Sequence, residues 1–382
     1  MQSSNLQPST FNILTFGAGA LGTYISGSLA LAGHNVVLVE QPAVAEELRQ
    51  RGLRLDLTID ERRKHALPLR GASRSGVDGT KDAFLLPPSS FVVADSLEDA
   101  LKFWPFDVAI FALKSFDTAA ALEGLKPFAE KLPPILCLSN GVDNEPALAA
   151  ALREASPWDG ADKVIYGTVT SAIGRRAAGD IVLEKLRGIG IADGHPLSSK
   201  LVTAFNAAML NAELFPNALS MKWSKMLTNL IANPISAILD MTAAQIFADK
   251  RLYRLEIEML RECLAVMEAQ NLEVVNLPGT PVRALAFATK LPLWLSKPLL
   301  GRAAGSGRGA KMPSFHIDLH SGRGKSEVDF LHGAVVRAGR EVGVPTPVNK
   351  VLTETLLALT NKEIPLEAFA GKPEKLLSKL AV

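Results

Sequence analysis

Phe11-Asn12-Ile13-Leu14-Thr15-Phe16-Gly17-Ala18-Gly19-Ala20-Leu21-Gly22 decides how the first half of this chain folds. Residues 11–16 form a short apolar run, the pattern of a buried strand. A glycine-rich turn follows, then a helical pattern from Ala20 to Ala32 that Gly33-His34-Asn35 closes. Val36-Val37-Leu38-Val39 is a β-branched run and reads as a second strand. Strand, glycine turn, helix and strand within about 30 residues make a βαβ unit with the spacing of a dinucleotide-binding turn. In that reading Gly17 allows the tight turn, Gly19 lets the backbone approach a pyrophosphate, and Gly22 lets the helix pack closely on the strand. The exposed N–H groups of the loop and the positive end of the helix dipole then face the phosphates, so that Gly17, Ala18, Gly19, Ala20, Leu21 and Gly22 are expected to bind the cofactor.

The end of the second strand selects the cofactor, because a carboxylate there hydrogen-bonds a ribose 2′-hydroxyl and repels a 2′-phosphate. Here that position is Glu40, followed by Gln41 and Pro42. Alone, it favours NAD.

Outward from this unit, Leu53, Leu55 and Leu57 alternate with polar residues and predict a strand and hairpin over 51–66. Residues 70–80, rich in Gly, Ser and charge, read as a loop. Apolar runs at 108–113 and 135–138 suit central strands of a parallel sheet, separated by a helix over 118–130. Residues 165–173, 181–186 and 188–192 predict further strands. From Ala218 the pattern is helical almost to the end. The predicted architecture is an α/β Rossmann-type doubly wound sheet over 11–212, followed by an all-α domain over 213–382 with an insert near 277–313.

Composition narrows the function. The 382 residues suffice for two or three domains, and 48% hydrophobic with 21% charged residues is ordinary for a globular protein. With 41 basic and 39 acidic residues, a net charge of +2 gives no reason to invoke nucleic acid or an anionic membrane. Cys137 and Cys263 stand in apolar contexts and outside any CxxC or Cys/His cluster, so they read as core residues of a cytoplasmic protein. The polar start lacks a signal-peptide pattern, and no apolar run is long enough for a membrane span. The nearest, residues 285–300, reads as an amphipathic helical insert packed on its own domain. His316 and His320 are spaced i, i+4, but beside Gly-rich sequence they are expected to flank a loop, and no metal is expected. There is no GxSxG, P-loop lysine motif or HExxH.

Lys225, Asn229 and Asn233 follow at i, i+4 and i+8 among Met226, Leu227, Leu230, Ile231, Ile235 and Ile238. On one helix they form a single polar stripe, which must meet solvent, a polar network or a ligand. Pro234 would disturb that helix and free backbone groups nearby.

At these residues the sequence resembles the ketopantoate reductase (2-dehydropantoate 2-reductase) family. The resemblance also rests on Asn12 to Val39, Leu113-Lys114-Ser115, Asn140-Gly141-Val142, Ser326-Glu327-Val328-Asp329 with Gly333, and Gly343-Val344-Pro345-Thr346-Pro347-Val348-Asn349. It covers most of the chain. It implies that Lys225 is the catalytic acid and that Asn229, Asn233 and Ser314 bind substrate. It further implies that Glu327 holds the hydroxyl end of the substrate, and that Lys114 and Asn140 serve the cofactor and nicotinamide. A homodimer through the helical half is implied too. The family uses NADPH, whereas Glu40 and Gln41, the latter in place of the family's arginine, point to NADH. The chain is longer than a typical member around residues 70–86 and 277–313.

The resulting expectation is reduction of a small 2-keto acid, with ketopantoate the default. A related 2-hydroxy-acid or opine-type dehydrogenase on the same plan is the alternative among enzymes. A non-catalytic nicotinamide-binding sensor is the alternative outside them, but it would have no need of Lys225 and Glu327 together.

Overall fold

The computed structural model describes residues 10–60, 73–75, 83–156, 163–298, 300 and 312–380. Two compact units emerge. One comprises residues up to Ser139, Asn144–Ala218 and Pro278–Thr280; the other comprises Asn140–Asp143, Leu219–Leu277 and Pro281 onward.

The first unit is built on an eight-stranded sheet in the order β13-β12-β9-β8-β7-β1-β2-β6. These are β1 (Asn12–Phe16), β2 (Asn35–Val39), β6 (Val92–Ala94), β7 (Val108–Phe111), β8 (Ile135–Cys137), β9 (Val164–Val169), β12 (Ile189–Ala192) and β13 (Ala212–Phe215). All neighbours pair parallel except β9 with β12. The central strands are buried on both faces, which is why they read as continuous apolar runs rather than alternating ones. The chain leaves β1 toward β2 on one side and returns to β7 on the other. That reversal leaves a crevice at the carboxyl ends of β1 and β7, the place where open α/β sheets bind ligands.

Helix α1 (Ala20–Leu31) is buried along nearly its whole length. Its cause is a second sheet, β10-β11-β3-β5-β4, formed by β3 (Leu53–Asp56), β4 (Ser73–Ser75), β5 (Ala83–Leu86), β10 (Ala172–Ala177) and β11 (Asp180–Lys185). Tyr24, Ile25 and Leu29 pack into one core with Leu38 of the main sheet and with Leu55, Ile181 and Leu183 of the second. A helix between two sheets has no solvent face, so an apolar circumference is required. On the other face of the main sheet, Leu14, Val37 and Phe111 pack against α4 (Thr118–Leu125) and α5 (Asn144–Ala155).

Two readings of the sequence need correction here. Ser73–Ser75, inside the expected 70–80 loop, is a strand because β5 offers it an antiparallel edge. Strands also continue past residue 212 to Phe215, where β13 pairs with β12; Asn206 helps to seat it, accepting from Ala212 N–H at 2.7 Å and donating to its carbonyl at 2.9 Å. Residues 61–66 of the expected hairpin, and residues 70–72, 76–82, 299 and 301–311 of the two expected insertions, lie outside the described residues.

The second unit is helical. It contains α7 (Ala218–Leu230), α8 (Asn233–Leu239), α9 (Ala243–Ala248), α10 (Lys250–Ala269), α11 (Val282–Lys290), α12 (Ser314–His320), α13 (Ala334–Glu341), α14 (Pro347–Thr360) and α15 (Pro373–Ser378), with a π-turn at Asp329–Gly333. The ends are capped by recognisable chemistry. Thr242 and Gln245 form a reciprocal capping box on α9, and Asp249 caps α10. The Glu262 carboxylate accepts from Val348 and Asn349 N–H at 2.7 and 2.9 Å, so α10 caps the start of α14. The stretch predicted as an amphipathic insert packs on α10 through Tyr253 Oη, which donates to Ser296 Oγ at 2.6 Å, and through Arg261 Nε, which donates to the Thr289 carbonyl at 2.9 Å. Its other face exposes Phe287 and Trp294. Cys137 and Cys263 are both buried and neither is in a disulfide, and burial pushes the Cys263 thiol up. Among the described residues no helix is long and apolar enough to cross a membrane. His316 and His320 do not flank a loop: both lie on α12.

Candidate active site

In the sheet unit, Gly17 has φ +87°, the left-handed backbone that turns the chain sharply out of β1, and its N–H donates to the Val39 carbonyl at 3.0 Å. A Cβ at Gly22 would overlap the carbonyl oxygen of Gly17, so the third glycine is fixed by helix–strand packing. Gly19 is different. It is the N-cap of α1, and among the described residues a Cβ there would meet nothing. Neither fold nor backbone conformation demands glycine at 19; a ligand lying against that backbone would. Among the described residues no side chain is seen to cap the start of α1, and no acidic residue sits in its first turn.

Glu40 turns back on this loop. Its Oε1 accepts from the Ala18 N–H, and its Oε2 from the Gln41 N–H at 3.1 Å. The carboxylate therefore stands beside the glycine turn. Lys114, half-buried, follows β7 and forms the N-cap of a short 3₁₀ turn at Ser115–Asp117.

In the helical unit the expected straight stripe is broken, and one residue earlier than Pro234 suggests. Helix α7 ends at Leu230, Ala232 takes φ +55°, and α8 starts at Asn233 with Pro234 in its first turn, where a missing N–H costs nothing. The break frees backbone groups, and two of them are met by side chains. The Ala232 N–H donates to Glu256 Oε2 at 2.9 Å, and Asn233 Nδ2 donates to the Asn229 carbonyl at 3.0 Å.

The break also joins the predicted substrate residues. Asn229 Nδ2 donates to Asn140 Oδ1 at 3.1 Å, and Asn233 Nδ2 lies 3.3 Å from Ser314 Oγ. Asn233 Oδ1 accepts from the Phe315 N–H at 3.0 Å, orienting the amide at the start of α12. Four residues from three distant stretches of the sequence thus form one connected set. Lys225, half-buried, stands one turn before Asn229, and Thr228 Oγ donates to its carbonyl at 2.8 Å. Glu327 comes from another element. It is 1% exposed, at the entry to the π-turn, where its carbonyl accepts from Phe330 and Leu331.

Sequence reasoning passed over the residues that support this set. Glu256 lies on the buried face of α10 with Tyr253, Ile257 and Leu260, and a carboxylate on an otherwise apolar helical face was the available signal. Arg337 pairs with Asp143 at 2.8 Å and Asp329 at 3.0 Å, tying the loop after Asn140 to the π-turn. A Cβ at Gly333 would collide with the Asp329 carboxylate, which accounts for that glycine.

A mostly parallel α/β sheet with a glycine turn after its first strand, and a helical unit carrying a lysine and a connected amide set, are the parts of a nicotinamide-dependent oxidoreductase. Family models place the chain within that class. Residues 13–194 match "Ketopantoate reductase PanE/ApbA" and residues 217–360 match its C-terminal model, so the chain belongs to the ketopantoate reductase family. A relative from Mesorhizobium japonicum named 2-dehydropantoate 2-reductase is 27% identical over 92% of this chain and 97% of its own length. Among solved structures, a PanE/ApbA family ketopantoate reductase from Ralstonia eutropha has a TM-score of 0.69 at 24% identity, covering 92% of this chain and 99% of that one. A D-mandelate dehydrogenase solved with NADH and anilino(oxo)acetate has a TM-score of 0.65 at 19% identity, with coverage of 92% and 99%.

Proposed function

We propose that this protein reduces 2-dehydropantoate to pantoate with a reduced nicotinamide cofactor. The observation that carries the reading is the connected set Asn140–Asn229–Asn233–Ser314 with Lys225 one turn away. Neutral amide and hydroxyl donors suit a substrate carboxylate, and a lysine ammonium suits the oxygen on which charge grows during reduction. The cofactor supplies the hydride to the keto carbon. Lys225 stabilises the developing oxyanion and donates the proton that completes the hydroxyl. Asn229, Asn233 and Ser314 hold the substrate carboxylate, Glu327 accepts from its terminal hydroxyl, and Asn140 and Lys114 serve the nicotinamide side. The loop Gly17-Ala18-Gly19-Ala20-Leu21-Gly22 holds the pyrophosphate, and the freedom from contact at Gly19 supports that use. Work in pantothenate biosynthesis, in the cytoplasm and as a homodimer belongs to the same proposal.

A second reading has one observation behind it. Glu40, turned onto the Ala18 N–H, sets a negative charge beside the glycine turn, which favours NADH and leaves a related 2-hydroxy-acid dehydrogenase in view. Steady-state assays with 2-dehydropantoate and with 2-keto acids lacking its terminal hydroxyl, each with NADH and NADPH, test both. The highest kcat/KM is expected for 2-dehydropantoate. A higher value for an aryl or alkyl keto acid would transfer the assignment to the second reading, and no turnover of any keto acid would end both.

A further inference from the structure

We propose that Asp240, His316 and His320 form a binding site for a divalent transition-metal ion, Zn²⁺ being the type. The three residues come from the ends of two packed helices. His316 and His320, four apart on α12, project from one face, with ring centroids 4.2 Å apart and planes inclined at 32°. Asp240 follows α8 in the left-handed conformation, φ +51°. Its Oδ1 stands 2.7 Å from His316 Nε2. One ligand atom from each residue lies within 4.8 Å of the others.

The His316–Asp240 contact alone is an ordinary hydrogen bond. The addition of the His320 ring makes it a three-point set. Ligand atoms around a tetrahedral ion with bonds near 2.0–2.1 Å stand about 3.4 Å apart. Reaching that spacing needs small torsional adjustments, and Asp240 and His320 are exposed enough to make them. Two imidazoles and one carboxylate match Zn²⁺, Ni²⁺ or Co²⁺, whereas Mg²⁺ and Ca²⁺ require oxygen-rich sets. A pocket of about 230 Å³ shares Asp240 and His320 with the set and adds Glu367. That space adjoins the set, and Glu367 adds negative charge to its wall.

The position gives the site a consequence. Helix α8 begins with Asn233 and is followed by Asp240; α12 begins with Ser314 and carries both histidines. An ion held here clamps at one end the same two helices that the Asn233–Ser314 contact joins at the other. Metal binding is independent of the proposed substrate; only the meaning of the clamp for substrate binding rests on that reading.

Chelator-treated, full-length protein titrated with Zn²⁺ against a chromophoric chelator tests the proposal, with thermal unfolding as a second readout. Binding of one Zn²⁺ per chain is expected, with a raised unfolding midpoint. Affinity should fall by about tenfold or more in D240N and in H320Q, and the Zn²⁺-induced midpoint shift should vanish. Both substitutions are at exposed positions, and circular dichroism checks their fold. Absence of stoichiometric Zn²⁺ binding, or wild-type affinity in both variants, would overturn it.

Discussion

The glycine turn of the sheet unit and the broken helix of the other unit each free backbone groups, but the side chains beside them find partners over different ranges. The turn after β1 is closed locally. Gly17 and Ala18 donate to Val39 and Glu40, at most 22 residues away, and no protein side chain caps α1. At the break after α7 the Ala232 N–H reaches Glu256 over a similar separation, 24 residues, but the amides beside it reach much farther: Ser314 is 81 residues from Asn233, and Asn140 is 89 residues from Asn229. A local solution can be read from one short stretch; a distant one is visible only when the chain has folded. In the proposed function the first presents its backbone to the cofactor, while the second ties its amides into a connected array.

This contrast can be broken at its strongest point in the sheet unit. Gly22→Ala places a methyl against the Gly17 carbonyl, and a destabilisation of about 3 kcal/mol is expected, with impaired NAD(P)H binding. Wild-type melting and cofactor titration would show that the loop tolerates what its packing forbids.

Acid should separate the two units next. His332 is fully buried in the helical unit, and burial pushes it down to about 4 against an opposing hydrogen bond with Asn349. Asn349 commits its amide hydrogens to the Met259 carbonyl and Glu262, so Nδ1 of the neutral imidazole donates to Asn349 Oδ1. The unfolded chain then binds more protons between the ordinary histidine value of about 6.5 and the folded value, and stability is lost as pH falls through that window. The loss from His332 reaches about 2 kcal/mol by pH 5. Burial raises the carboxyl of neighbouring Glu262, so its protonation opposes this trend, and comparison with His332→Gln isolates the imidazole. In the sheet unit, burial of Asp56 is outweighed by its bonds with Arg176 and Thr58, and its carboxyl lies below the ordinary range. Its contribution is intact above about pH 3.9 and lost only below it. Equal pH slopes for wild type and His332→Gln would remove His332 from the account.

The smallest effect concerns the cofactor. Glu40→Arg should move the NADPH-to-NADH ratio of kcat/KM upward by about tenfold, equivalent to about 1.4 kcal/mol. An unchanged ratio would place the ribose elsewhere than Glu40.

What could be read without coordinates follows the same division. The βαβ unit, the central parallel strands and the helical second half rest on contiguous hydrophobic patterns, which short-range geometry fixes. Lys225, Asn229 and Asn233 were legible because polar residues interrupted an apolar helix at a regular interval. The break at Ala232 was not, because alanine carries no turn signal and its left-handed backbone is stabilised by Glu256 from another helix. The strand at Ser73–Ser75 was hidden for the same reason: its partner edge, rather than its composition, makes it a strand. His316 and His320 beside glycine-rich sequence suggested a loop, whereas α12 forms with Phe315 fully buried.

In the proposed division of labour the glycine loop would hold the cofactor, and Lys225 with its amide neighbours would perform the reduction. Lys225→Ala tests it most directly, with 2-dehydropantoate turnover and cofactor affinity measured on the same preparation. The account predicts that kcat falls by about 10²- to 10⁴-fold while the Kd for NADH or NADPH changes by no more than about twofold. Normal turnover, or a loss of cofactor affinity that alone accounts for the lost rate, would contradict it.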